Sequence, residues 1–275
     1  MTILRLAAPT RWLYPAIFLL LFMEKSSALE IAGYGGSASW TQIGATFESD
    51  GSDRPGMFLS FSQDGSRLLV GSSYESTDYV AVYEWQSGSS TWTRIGDKIP
   101  RLVYINSASL SGDGNVVALG DYDSTESGTI WTARVFHYSG GSWQQVGSDI
   151  VAPLSEGASN VKVSISSDGK VLAVGNSESE TSGVNATLTG RVRIYQWPSN
   201  DLAAADTWTQ MGETIEAWGT VEATVDGVPY KRDVYMDAGT LSGDGTRVAV
   251  FRTDGWVGTG YVLSLIHISE PTRPY

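Results

Sequence analysis

One short pattern occurs four times in this chain and constrains its fold more than any other feature. It consists of a serine- or threonine-led apolar run, an Asp-Gly pair and a second apolar run. The copies are SFSQDGSRLLVG from Ser60, SLSGDGNVVALG from Ser109, SISSDGKVLAVG from Ser164 and TLSGDGTRVAVF from Thr240. An Asp-Gly pair between alternating apolar runs predicts a two-residue β-hairpin, in a turn whose residues tolerate positive φ. Four hairpins of one type predict a repeat protein.

Two further strands flank each hairpin. A tryptophan-led segment opens each repeat, and its starts lie 52, 51 and 65 residues apart, at Trp40 (WTQIG), Trp92 (WTRIG), Trp143 (WQQVG) and Trp208 (WTQMG). A strand that ends in aromatic residues follows each of the first three hairpins, at 79–85, 133–138 and 191–197. Four strands in a repeat of about 50 residues, with no helical period, predict the antiparallel blade of a β-propeller.

The small hydroxyl side chains predict the order of strands within a blade. Small residues allow strands to crowd near a central axis, so the strand before the Asp-Gly pair is placed innermost. Its hairpin partner is then second, the aromatic strand third and the tryptophan-led strand outermost. We expect an all-β fold, an incomplete β-propeller over residues 29–262. It has three complete blades (57–95, 106–146 and 161–211), a fourth that breaks off at Val262, and an orphan outer strand at 40–43.

The two ends of the chain follow neither pattern. Arg5 and Arg11 precede an apolar run at 12–23, and small residues lead up to Ala28, so residues 1–28 are predicted to be a cleaved secretory signal. An uncleaved membrane tether is the alternative. Residues 263–275 contain LSLIHISEPTR, which resembles the translation of a transposase-type sequencing adapter. We expect this tail to be non-native and the true chain to continue beyond Val262; an ordinary short tail is the alternative.

Charge and cysteine content exclude several function classes. The formal net charge is −12. It becomes −14 when residues 1–28, which carry +2, and residues 263–275, which carry no net charge, are left out. Such a chain is poorly suited to nucleic acid, whose phosphates require lysine and arginine, and it suits cations or basic partners. The chain has no cysteine, which excludes disulfides and thiolate chemistry. We expect a secreted, extracellular protein with no membrane span in its mature part.

The ordered motifs W-x-Q-x-G, S-x-S-x-D-G-x-x-x-A-x-G and V-R-x-Y-x-W cover about Trp40 to Val262. Together they resemble the secreted FG-GAP and integrin-α-type propeller repeats, and the Asp-Gly hairpins are also similar to those of WD and kelch blades. The resemblance implies an extracellular seven-bladed propeller used for adhesion or ligand binding, sometimes with calcium in its blade loops. The chain departs from the calcium-binding members, because it contains no D-x-D-x-D-G loop.

The predicted strand order gathers acidic residues at one end of the blades. The connections from outer to inner strand and from second to third strand share that end, and they hold 18 of the 28 acidic residues that remain without Glu24 and Glu270. Asp121, Asp123 and Glu126 are the best candidates for calcium ligands, since oxygen ligands spaced by two on a loop can converge on the ion. Solvated carboxylates that keep sheet edges from pairing are the alternative.

Other candidate site residues depart from the repeat. The aromatic residues Trp218, Tyr230 and Trp256 are predicted to contact a ligand, Trp218 and Trp256 because they are out of register with the blades, whereas the in-register tryptophans are expected to pack between blades. The tripeptide at Asn185 is a possible N-glycosylation site in a polar loop. His137 alternates with aromatic residues on a strand, and the other histidine, His267, lies in the predicted non-native tail, so no second histidine is expected to form a metal site with it. The sequence contains no G-x-S-x-G elbow, P-loop or H-E-x-x-H motif.

Two interpretations of function stay open. The first is a secreted, non-enzymatic binding or adhesion module that recognises carbohydrate, matrix or protein through its acidic loops. The second is a propeller-type polysaccharide hydrolase or lyase, with paired carboxylates brought together at the central channel. A purely structural module beside another domain is a third.

Overall fold

The computed structural model describes residues 41–47, 55–72, 79–100, 104–125, 128–151, 159–179, 188–203, 206–217, 221–225, 228–232, 235–253 and 258–264. The chain divides into two compact units, residues 1–43 and 44–275. Residues 41–43 are the described part of the first unit, and they are in no strand. Every strand given below belongs to the second unit. The described residues include no helix long and apolar enough to cross a membrane.

The strands of the second unit form four successive sheets and one hairpin. Blade 1 contains β1 (Pro55–Phe61), β2 (Arg67–Ser72), β3 (Tyr79–Gln86) and β4 (Thr91–Pro100). Blade 2 contains β5 (Tyr104–Leu110), β6 (Val116–Thr125), β7 (Gly128–Ser139), β8 (Ser142–Gln145) and β9 (Ile150–Val151). Blade 3 contains β10 (Ser159–Ile165), β11 (Val171–Ser179), β12 (Leu188–Gln196) and β13 (Thr209–Ala217). A hairpin of β14 (Val221–Val225) and β15 (Val228–Arg232) precedes blade 4, whose strands are β16 (Tyr235–Leu241), β17 (Arg247–Thr253) and β18 (Gly258–Ser264).

The predicted strand order is confirmed. Every pairing among the described strands is antiparallel, and the sheets of blades 1 to 3 run from the strand before the Asp-Gly pair, through its hairpin partner, to the aromatic strand and then the tryptophan-led strand; blade 4 shows the first three positions of this order. The first strands of neighbouring blades lie side by side, since Ser60 of β1 bonds Leu110 of β5. The described part of the chain is therefore all-β, with the four-stranded antiparallel blades of an incomplete β-propeller.

The core lies between the blades, because each strand alternates its side chains between two neighbouring sheets. In β6, Val117 and Leu119 pack with residues of blade 1, whereas Val116 and Ala118 pack with blade 3. A third cluster joins blades 3 and 4 through Ile194, Val248 and their neighbours. Each blade is thus stabilised mainly by the faces of its two neighbours.

Three segments depart from the regular blade pattern. Between Gly212 and Tyr235 the chain is largely strand, because β13 continues to Ala217 and the β14–β15 hairpin follows. Residues 41–47, expected to include the orphan outer strand, form no strand, and the described residues contain no strand before β1 with which they could pair. Leu263 and Ser264, the first residues of the predicted non-native tail, end β18 and pair with Val248 and Arg247.

Candidate binding face

The Asp-Gly turns close one end of every blade, which we call the turn end. In each copy the hydroxyl of a serine donates to an aspartate two residues later, as Ser62 does to Asp64 at 2.7 Å. The same carboxylate accepts the N–H of Ser66, and only the glycine, Gly65 at φ 70°, adopts the left-handed conformation. The other three turns repeat these bonds.

The turn is therefore not the predicted two-residue type. Five residues separate Phe61 from Arg67, and the same number separates the paired strands in the other three blades. The aspartate keeps negative φ, because its role is to accept hydrogen bonds rather than to tolerate a strained backbone. The hydrogen bonds from Ser62 and Ser66 lower the pKa of Asp64 to about 2, and those from Ser242 and Thr246 lower the pKa of Asp244 to about 2. The Asp-Gly pairs therefore have a structural role in the turns.

Neighbouring turn ends are linked by a repeated set of contacts, which we call the inner joint. The serine of each first strand accepts the amide N–H of the next first strand; the pairs are Ser60 with Leu110, Ser109 with Ile165 and Ser164 with Leu241. A turn N–H also donates to a carbonyl of the next turn, from Gln63 to Gly112, from Gly112 to Ser167 and from Ser167 to Gly243. Finally, the residue that starts the second strand packs over the next turn glycine; these pairs are Arg67 with Gly114, Val116 with Gly169 and Val171 with Gly245.

The tryptophan-led motif forms a second repeated contact, the outer joint. The indole N–H of Trp143 donates to the carbonyl of Ile95, and that of Trp208 donates to the carbonyl of Val146, each in the preceding blade. The glycine after each of these carbonyls, Gly96 or Gly147, has positive φ and leaves no room for a side chain against the ring. The prediction that these in-register tryptophans pack between blades is confirmed.

The glutamine or arginine of the motif completes the outer joint. The side chains of Arg94, Gln145 and Gln210 each donate to the carbonyl of the glycine two residues later. This bond holds a bulge in which the outer strand has two more residues than its partner; between Val80 and Val82, for example, β4 runs from Ile99 to Ile95. Bulges of this kind prevent an edge strand from pairing with another sheet.

The opposite end of the blades, the loop end, does not repeat. The connections between the second and third strands contain six, two, eight and four residues in blades 1 to 4, whereas the Asp-Gly turns keep one length. Each outer-strand bulge lies between the tryptophan-led motif and the loop end. The bulges carry exposed carboxylates at Asp97, Asp149 and Glu213. Variable connections on a rigid scaffold are where binding residues are concentrated. We call this surface the candidate binding face.

Blade 2 carries a bridge of charges on its outer half. The guanidinium of Arg134 contacts the carboxylates of Asp121 and Asp149, the latter at 2.9 Å, and its side chain is 10% exposed. Burial alone would raise the pKa of Asp149, but the hydrogen bonds from Arg134 and Gln145 outweigh it and lower that pKa. The neighbouring blades lack this bridge, because the corresponding residues are Ser72, Ala81 and Lys98 in blade 1 and Asn176, Arg193 and Thr214 in blade 3.

The predicted calcium ligands are not assembled on one loop. Asp121 and Asp123 lie on strand β6, which continues to Thr125, and Glu126 is outside the described residues. The carboxylate of Asp121 is buried and already neutralised by Arg134. No group of metal-ligating side chains occurs within the described ranges. Arg134 was not among the predicted site residues. Its sequence signal is the acidic Asp121 at the position where blade 1 has Ser72.

The other predicted site residues are not brought together in the described part of the chain. Tyr230 lies on β15, where its backbone pairs with Ala223. Trp218, Trp256 and Asn185 are outside the described residues. His137 lies on β7, opposite Val116 and Gln144, as expected for an ordinary strand residue.

No protein-family model matches the chain, and comparison with curated proteins finds no match. Among solved structures, hydrazine synthase of Kuenenia stuttgartiensis is 16% identical over 71% of this chain and 52% of that one, with a TM-score of 0.40. A putative 6-phosphogluconolactonase from Bacteroides uniformis is 13% identical over 82% and 58%, with a TM-score of 0.39. The periplasmic gluconolactonase of Pseudomonas aeruginosa is 16% identical over 85% and 74%, also at 0.39.

The chain thus spans little more than half the length of the first two of these proteins. At such identities and TM-scores no activity or ligand carries over. The class is defined by the sheets themselves: an all-β chain of propeller blades, whose order, register and joints repeat.

Proposed function

We propose that this protein is a secreted, non-enzymatic binding or adhesion module whose ligand, a carbohydrate, matrix component or protein, contacts the candidate binding face. The observation that carries the proposal is the difference between the two ends of the blades. At the turn end, the aspartates and serines are used in hydrogen bonds within and between turns. At the loop end, the connections vary in length and exposed carboxylates recur, so recognition can change there without disturbing the scaffold.

Charge indicates the kind of ligand. The formal net charge of −12 and the recurring acidic bulges favour partners that present basic groups, or neutral glycans whose hydroxyls donate hydrogen bonds to the carboxylates. The aromatic residues Trp218, Tyr230 and Trp256 are the proposed stacking contacts for such a glycan. The predicted calcium ligands Asp121, Asp123 and Glu126 stay an expectation and carry no part of this proposal, because the carboxylate of Asp121 is already paired with Arg134.

A pair of charge-matched variants tests the binding face. The purified chain is applied to glycan and protein arrays, with and without calcium, and every hit is measured again by titration. The double variant Asp97→Lys/Glu213→Lys changes the loop-end half of two outer strands and is expected to weaken binding by about tenfold or more. The control Asp201→Lys/Asp206→Lys makes the same change in charge in the connection between β12 and β13, at the turn end, and is expected to bind normally.

Three results would contradict the proposal. Equal losses for the two variants would show that only overall charge matters. The absence of any specific ligand on both arrays at every calcium concentration would remove the basis for a binding module. Turnover of a polysaccharide panel, abolished by a single Asp→Asn change, would establish the hydrolase or lyase alternative instead.

A further inference from the structure

The chain contains seven Asp-Gly pairs, and four of them stand in the blade turns, at Asp64, Asp113, Asp168 and Asp244. The other three lie outside the described residues. Asp-Gly is the dipeptide at which an aspartyl peptide rearranges most readily, because glycine has no side chain to shield its amide nitrogen. That nitrogen attacks Cγ of the aspartate, a succinimide ring closes and one water leaves. Hydrolysis at the α-carbonyl then consumes one water and leaves the main chain running through Cβ, which is isoaspartate.

The attacking nitrogen is already engaged in each blade turn. The N–H of Gly65 donates to the carbonyl of Ser62 at 3.0 Å. The other turns have the same bond at 2.8–3.0 Å, from Gly114 to Ser111, from Gly169 to Ser166 and from Gly245 to Ser242. Attack requires the nitrogen to lose its proton, and this bond retains the proton. Breaking the bond inside the folded turn costs free energy that the unfolded chain does not have to supply.

The carboxylate under attack is fixed by its own hydrogen bonds. Oδ1 of Asp168 accepts the hydroxyl of Ser166 at 2.6 Å and the N–H of Lys170 at 3.0 Å. Ring closure needs rotation of this side chain, which would break both bonds. Such donors also stabilise the ionised carboxylate, and they lower the pKa of Asp64 and of Asp244 to about 2. An ionised carboxylate is a poor electrophile, because its oxygen leaves as water only after protonation.

The serine two residues before each aspartate connects these bonds. In blade 3, Ser166 is buried, and its carbonyl holds the N–H of Gly169. Its hydroxyl donates to Asp168 and accepts the N–H of Val171 at 2.9 Å. One residue therefore restrains both the attacking nitrogen and the carboxylate.

Packing at the inner joint opposes the rearrangement as well. Isoaspartate adds one atom to the main chain of a turn, at the place where neighbouring blades are in contact. A Cβ at Gly169 would lie 2.5 Å from the side chain of Val116 in the preceding blade, so this turn has no room to lengthen. The N–H of Gly112 donates to the carbonyl of Ser167 in the same joint.

From this geometry we propose that the blade turns are latent isoaspartate sites that the folded chain keeps unmodified, and that the serine before each Asp-Gly pair is the residue responsible. Asp113 is the most strongly held of the four aspartates. Its Oδ1 accepts from Ser111 and from the N–H of Asn115, and its Oδ2 accepts from the side chain of Asn115 at 2.9 Å. The bonds described for the other three aspartates reach Oδ1 alone. We therefore expect folding to slow modification most at Asp113.

Site-resolved peptide mass spectrometry tests the proposal on the full chain. The folded protein and the same protein unfolded in guanidinium chloride are kept at neutral pH and body temperature for several weeks, and isoaspartate is measured at each Asp-Gly pair. The four turn sites are expected to be modified about tenfold or more slowly in the folded chain, because the reaction requires a turn to open. Equal rates at these sites in the folded and the unfolded chain would overturn the proposal.

Ser166→Ala tests the role assigned to the serine. It is expected to raise modification at Asp168 by about tenfold, because the carboxylate loses its hydroxyl donor, while modification at Asp64 stays unchanged. The matched control is Ser164→Ala, which removes a hydroxyl from the inner joint of the same blade and leaves the bonds of Asp168 intact. Equal acceleration at Asp168 by the two variants would show that general loss of stability sets the rate, and would overturn the role of the serine.

Asp168→Asn keeps the test decisive if Ser166→Ala does not fold. It removes the charge but retains an oxygen that can accept from Ser166, and Asn-Gly closes the same ring with loss of ammonia in place of water. Deamidation at this position is expected to be about tenfold or more slower in the folded chain than in guanidinium chloride. The same rate in both states would overturn the proposal.

Discussion

Substitution of Gly147 by alanine measures what the outer joint contributes to stability. Gly147 has a φ of 71°, and an added Cβ would lie 2.9 Å from Cζ3 of Trp197 and 3.1 Å from Cδ1 of Trp208. The left-handed backbone costs a non-glycine residue about 1–2 kcal/mol. Because Trp197 is buried and rigid, relief of the contact costs about 1–3 kcal/mol more. We expect Gly147→Ala to destabilise the protein by about 2–5 kcal/mol.

Gly141 provides a matched control for the backbone term. Its φ is 88°, and a Cβ at this position would meet no atom within 4 Å. Gly141→Ala is therefore expected to cost only the backbone strain, about 1–2 kcal/mol. The two variants are compared by urea unfolding, followed by tryptophan fluorescence and far-UV circular dichroism. Equal destabilisation by the two substitutions would refute the packing of the outer joint between blades 2 and 3.

Three further predictions concern the inner joint, the charge bridge and the turns. Ser109→Ala leaves the amide of Ile165 without its acceptor and is expected to cost about 1–3 kcal/mol, with faster hydrogen exchange at that amide; unchanged exchange would contradict the joint. Arg134→Met removes the guanidinium that pairs with the buried Asp121 and is expected to lower the free energy of unfolding by about 3–5 kcal/mol, measured by thermal unfolding. Adding Asp121→Asn to this variant should recover part of the lost stability. The pKa of Asp244 is lowered from 3.8 to about 2, so its contribution to folding stability is complete above pH 3.8 and is lost as the pH falls towards 2. Asp244→Asn should therefore flatten the dependence of unfolding stability on pH in that window. An unaltered dependence would argue against the turn bonds.

The architecture could be predicted because it follows from periodic patterns in the sequence. Alternating apolar residues define strands, and the recurrence of the Asp-Gly and tryptophan-led motifs defines blades and their order. The turn type was not predictable from the Asp-Gly pair alone. The flanking Ser62 hydroxyl bonds both the carboxylate of Asp64 and the backbone of Arg67, and this bonding selects a longer turn.

The candidate site was less accessible to sequence reasoning, because its contacts join distant residues. The indole of Trp143 donates to Ile95, 48 positions earlier, and no local pattern encodes that pairing. The bridge from Arg134 to Asp121 and Asp149 depends on the register of β6 and β7 and on the bulge before β9. Spacing by two suggested a calcium loop, whereas the extended β6 hairpin places Asp121 inside the sheet.

The uniformity of the inner joint also bears on how such a chain can change over generations. Each blade meets its neighbours through one standard set of atoms: a hydroxyl, an amide, a carbonyl and a bare turn glycine. An in-frame duplication of one unit would therefore insert a blade whose two sides already match those it separates. Propellers with different numbers of blades could therefore arise from the same gene by unequal recombination, and no new contact between blades would be needed.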